Sequence, residues 1–133
     1  MEPTVTTSPT PDHTPTVLDR FRRLFGGDEA DGRLGSKVDA ARALDLVKDG
    51  ATLLDVREGS EWRSGHAPRA IHIPLGQIDQ APRRLHQGRP VVVMCASGMR
   101  SRTAAKRLRG LGFDAASLQG GIPAWQRAGG EVR

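Results

Sequence analysis

The chain has 133 residues, enough to close one hydrophobic core and too few for two. Its 20 lysines and arginines against 15 acidic residues give a net charge of +5, but the cations are scattered and tyrosine is absent, which argues against a base-stacking nucleic-acid binder. One cysteine excludes an intrachain disulfide and any multi-cysteine zinc site, and no apolar run is long enough for stable membrane insertion.

Residues 1–16 are rich in threonine, proline and serine, and read as a disordered arm without a secretory signal, so the expected location is cytoplasmic. Val17, Leu18, Phe21, Leu24 and Phe25 then recur at helical spacing until Gly26-Gly27 stops the pattern. A helix this short needs a surface to dock on, and its own domain is the first choice. Residues 1–35 thus form an N-terminal extension ahead of a domain at 36–133.

From Ser36 the elements alternate. Ser36–Val38 is predicted as an edge strand, Asp39–Lys48 as a helix with Ala40, Ala43, Leu44 and Val47 inward, and Thr52–Val56 as a strand. Glu58–Arg63 follows as a helical turn, Ala70–Ile73 as a strand, and Leu75–Leu85 as an irregular helix interrupted by Pro82. Val91–Met94 is the central strand, a helix runs from Ser101 towards Gly110, Ala115–Leu118 is the last strand, and Ile122–Ala128 the closing helix. This order predicts an α/β fold, an open, mainly parallel five-stranded sheet with helices on both faces.

The central strand delivers Cys95 into the loop Ala96-Ser97-Gly98-Met99-Arg100, directly before a helix start. Unpaired amides and the positive end of the helix dipole favour an anion there, and a thiolate is one. Gly98 lets the amides turn inward, Arg100 offers a planar cation, and Ser101 can cap the helix or donate a hydrogen bond. In open sheets, ligands sit at the carboxyl ends of the strands, where Asp55 and Arg57 also fall. Asp55 could orient the loop or an arginine and Arg57 line an anion entrance; the competing reading is a structural ion pair, which is preferred for Asp55 and left open for Arg57.

The stretch Cys95-Ala96-Ser97-Gly98-Met99-Arg100-Ser101 resembles the active-site loop of rhodanese-like sulfurtransferases, Cys-x-x-Gly-x-Arg-Ser. Leu54-Asp55-Val56-Arg57, followed by Glu61-Trp62, Gly65-His66 and Ile73-Pro74-Leu75, is similar to the family's N-terminal signature, and Leu118-Gln119-Gly120-Gly121-Ile122-Pro123-Ala124-Trp125 to its C-terminal one. Ala67 and Arg69 depart from the usual larger aliphatic residue and glycine. The resemblance makes His66 a hydrogen-bonded fold element rather than a base, and Trp62 and Trp125 read as packing residues.

The resemblance implies a rhodanese-type thiosulfate sulfurtransferase: the Cys95 thiolate takes sulfur from a small anion such as thiosulfate, or from a persulfide, and a thiol or protein acceptor removes it. The amides of Ala96 to Arg100 would hold the sulfur, Arg100 and Arg57 would balance the donor's charge, and Met99 would shape the rim. No metal or organic cofactor is implied. A protein-to-protein persulfide carrier and an interaction module remain as alternatives. A phosphatase or arsenate reductase is disfavoured, because Cys95 to Arg100 is Cys-x4-Arg and the similar phosphatases use the longer Cys-x5-Arg.

Overall fold

The computed structural model describes residues 33–133, and the helical pattern at 17–25 lies outside them. β1 is Lys37–Val38, α1 Ala40–Lys48, β2 Thr52–Asp55, α2 Gly59–Ser64 and β3 Ile71–His72. A 3-10 segment, Leu75–Gln80, leads into α3 at Ala81–Arg84, then β4 Val91–Met94, α4 Met99–Gly110, β5 Ala115–Leu118 and α5 Gly121–Arg127. The five strands lie in the order β1-β5-β4-β2-β3, and every neighbouring pair is parallel.

Parallel strands need crossovers, and the helices that make them cover both faces, so β4 is buried at all four positions. One face of the sheet sends Val38, Leu53, Val92, Met94 and Leu118 against Leu46 of α1 and Trp125 of α5. The other sends Leu54, Val91, Val93 and Cys95 against Ala104, Ala105 and Leu108 of α4. Asp39 starts α1 by accepting the Arg42 N–H at 2.9 Å, the expected use of an acidic residue ahead of an apolar helical stripe.

Several boundaries move from those the sequence predicts. α4 begins at Met99, earlier than Ser101, because Gly98 adopts φ 111° and turns the chain directly into the helix. Pro82 does not interrupt a helix; it occupies the first turn of α3, where its missing N–H has no partner to lose. β2 stops at Asp55, yet the Val56 N–H still donates to the Met94 carbonyl at 3.0 Å and keeps the strand ends in register.

That register positions the site. From β2 the chain moves outward to β3, and from β4 it moves the opposite way to β5. The adjacent carboxyl ends of β2 and β4 therefore border a crevice between connections that diverge, a topological switch point. Cys95 leaves β4 at this point, and Asp55 to Arg57 leave β2. Among the described residues no helix is long and apolar enough to cross a membrane.

Candidate active site

Cys95 is fully buried where β4 ends, on the face covered by α4. The loop folds back so that the Gly98 N–H donates to Sγ at 3.0 Å and the Ser101 N–H donates at 3.3 Å. The thiol in turn donates to Ser101 Oγ at 3.5 Å. Ser101 Oγ donates to the Gly98 carbonyl at 3.1 Å and lies 2.7 Å from the hydroxyl of Ser117 on β5. Met99, 68 % exposed, sits at the rim. Ser97 is exposed, and Ala96 and Gly98 are half-buried.

Burial pushes the Cys95 thiol up, but the Ser101 hydroxyl and the Ser101, Gly98 and Ser97 amides favour the thiolate and together bring it below the usual value. When the thiol ionises, the Ser101 hydroxyl becomes available to donate to sulfur, with the Ser117 hydroxyl behind it. A lowered thiol contributes stability above its unfolded value of about 8.5 and loses that contribution as pH falls through the folded value. Ser101→Ala should therefore shift the Cys95 titration, followed by thiolate ultraviolet absorbance, to higher pH. An unmoved or lowered midpoint would show that the hydroxyl does not hold the thiolate.

The loop is pinned from behind by the start of α5. The Ile122 N–H donates to the Cys95 carbonyl at 3.0 Å, which brings the Gly121 backbone against the loop. Gly121 has φ 63°, and a Cβ there would overlap the carbonyl oxygens of Ala96 and Cys95. Backbone cannot rotate away as a flexible side chain can. Gly121→Ala should cost about 2–3 kcal/mol, the left-handed conformation and the overlap adding, and should impair Cys95 alkylation through the displaced loop. An unchanged denaturant midpoint would contradict this packing.

Both arginines singled out by sequence are engaged by carboxylates. Arg100 donates from Nη1 to Glu61 Oε1 at 2.7 Å and from Nη2 to Oε2 at 2.9 Å, in a half-exposed bidentate pair that ties the loop to α2. Glu61 Oε1 also accepts the Glu58 N–H at 2.9 Å. Its hydrogen bonds to the Arg100 side chain and the Glu58 amide hold the Glu61 carboxyl at about 2, so the pair stays ionised wherever Cys95 titrates.

Arg57, expected at the anion entrance, turns inward instead and is 7 % exposed. Its Nε donates to both Asp55 oxygens at 3.0 Å, Nη2 donates to Oδ2 at 2.8 Å, and Nη2 also donates to the Gly65 carbonyl at 2.7 Å. The arrangement is the buried ion pair that was the alternative reading.

His66 lies in the same framework: Nδ1–H donates to the Trp62 carbonyl at 2.8 Å, and its backbone exchanges hydrogen bonds with Arg133. The Trp62 ring stacks on His66 at 3.6 Å and on His72 at 4.7 Å, while Trp125 is buried against α1. Sequence reasoning missed two groups. Glu61 was visible only as part of the acidic-aromatic pair, and Ser117 only as a hydroxyl in the apolar run of β5.

Comparison with known proteins gives one consistent result. A family model described as Rhodanese-like domain matches residues 39–128. The chain is 39 % identical to YtwF of Bacillus subtilis over 74 residues, 56 % of this chain and 72 % of the relative. It is 32 % identical over 96 residues to the thiosulfate sulfurtransferase GlpE of Actinobacillus pleuropneumoniae, covering 71 % of this chain and 89 % of that protein. The fold is similar to the crystal structure of a rhodanese-related protein from Thermoplasma volcanium, with TM-score 0.66, 32 % identity, and coverage of 74 % of this chain and 97 % of the other.

Proposed function

The chain belongs to the family of rhodanese-like domains, and on that premise we propose that it is a thiosulfate sulfurtransferase carrying sulfur as a Cys95 persulfide. The observation that carries this reading is the cradle: one cysteine sulfur at the focus of the Gly98 amide, the Ser101 amide and the Ser101 hydroxyl, with its thiol lowered.

The Cys95 thiolate attacks the outer sulfur of thiosulfate. A new S–S bond forms, the donor's S–S bond breaks, and its electron pair leaves with sulfite, so charge is conserved between thiolate plus thiosulfate and persulfide plus sulfite. The inward amides then hold the anionic terminal sulfur. An acceptor thiolate attacks that sulfur next, and Cys95 regains the electron pair as thiolate. The chemistry asks for a sulfur nucleophile and a cradle for negative charge, and for no metal or organic cofactor.

Met99 supports a second reading, a protein-to-protein persulfide carrier. Its exposed thioether gives a partner protein an apolar contact beside the sulfur. Both routes pass through the same persulfide. Initial rates with thiosulfate varied at several fixed concentrations of a thiol acceptor should give parallel double-reciprocal lines, the mark of double displacement. Intersecting lines would mean that donor and acceptor bind together, which a persulfide shuttle does not require.

A further inference from the structure

The two arginines expected to meet an anionic donor are spent: Arg57 on the Asp55 carboxylate and Arg100 on Glu61. Positive charge with no ion-pair partner among the described residues lies instead on another flank of the cysteine loop. There, between the first turn of α4 and edge strand β1, a cavity of about 250 Å³ is lined by Lys37, Ser97, Arg102, Ser117, Gln119 and the Gly98 backbone. Among the described residues no acidic side chain lines it. The side chains of Lys37 and Arg102 have no hydrogen-bond or ion-pair partner among the described residues.

Strand alternation explains how Lys37 reaches this place. Val38 packs with α1 and α5, so Lys37 faces the side of the sheet that carries α4 and Cys95. Arg102 arrives from the first turn of α4. The buried Ser117, the register partner of Lys37, lines the same cavity, its Oγ 2.7 Å from Ser101 Oγ, which is 3.5 Å from Cys95 Sγ. A cationic cavity is thus connected to the nucleophile through two hydroxyls, and it shares Ser97 and Gly98 with the cradle.

We propose that this cavity is the recognition site for the oxyanion end of the sulfur donor, held by Lys37 and Arg102, with the donor's transferable sulfur directed at the Cys95 loop. The inference rests on the sulfurtransferase reading and assigns its charge recognition to residues other than Arg57 and Arg100. The leaving group fits the same place, since sulfite departs with the electron pair and both its charges while still facing two cations.

The test uses the full chain with Lys37→Ala and Arg102→Ala combined, two exposed positions whose truncation leaves the core intact. KM for thiosulfate should rise by about tenfold or more, the loss of at least one charge-assisted contact. Alkylation of Cys95 by uncharged iodoacetamide should change far less, because the sulfur itself is untouched. Lys106→Ala, which removes an exposed cation elsewhere on α4, should leave KM for thiosulfate as in the wild type. An unchanged KM in the double variant, or an equal rise in the Lys106 variant, would overturn the proposal.

If the wild type accepts no sulfur from thiosulfate, the sulfurtransferase reading fails, and the cavity can still be judged. Wild-type Cys95 should then favour anionic iodoacetate over iodoacetamide more strongly than the double variant does. Equal selectivity would overturn the anion site as well.

Discussion

Cys95→Ser should lower sulfur transfer by more than about 10³-fold, because the serine hydroxyl stays protonated where the thiol ionises. The replacement is nearly isosteric. Cys95 is fully buried beneath α4 and donates to Ser101 Oγ, and a serine hydroxyl can keep that bond. The melting transition should therefore stay close to that of the wild type at neutral pH. The pH dependence gives a second check. The wild type gains stability from the thiolate as pH rises through the lowered thiol value, and the serine variant lacks that gain. Sulfur transfer at an undiminished rate in a folded Cys95→Ser protein would remove the nucleophile from the account.

Arg57→Met should cost about 3–5 kcal/mol, since it strips the cation from an Asp55 carboxylate that has no exposed surface and leaves a buried charge without its partner. For a domain of this size that corresponds to a drop in melting temperature of roughly 15 °C or more. The loss should come from the orphaned carboxylate. Asp55→Leu combined with Arg57→Met should accordingly recover much of it, because an apolar pair of similar volume avoids the desolvation cost of both ions. A melting temperature unchanged in Arg57→Met, with KM for thiosulfate raised instead, would return Arg57 to the anion entrance.

The elements most legible in the sequence are those whose burial is two-sided. Val91–Met94 reads as a strand because a parallel strand covered on both faces must be apolar throughout, and Asp39 reads as a helix start because an acidic cap leaves a local signature. The start of α4 was less legible: Gly98 could be read as the turning residue, but not that its left-handed conformation leads straight into the helix at Met99, two residues before Ser101. Cys95 and its loop could be found from the strand, glycine, arginine and serine that surround it.

The electrostatics of the site were only partly legible, for a physical reason. The Arg100–Glu61 and Ser101–Ser117 contacts join residues 39 and 16 positions apart, brought together by the crossovers, and no local periodicity encodes such pairs. Asp55 and Arg57 are two residues apart in sequence, so their pairing was within reach of sequence reasoning. The inward turn of Arg57 is completed by the Gly65 carbonyl, which the residue just past the end of α2 supplies.

Intact-mass measurement after incubation with excess thiosulfate and desalting tests the central claim directly. The wild type should gain the mass of one sulfur atom, lose it on addition of a thiol, and show no gain once Cys95 is replaced by serine. An unmodified wild-type mass, or a gain that persists in the Cys95→Ser protein, would contradict a Cys95 persulfide.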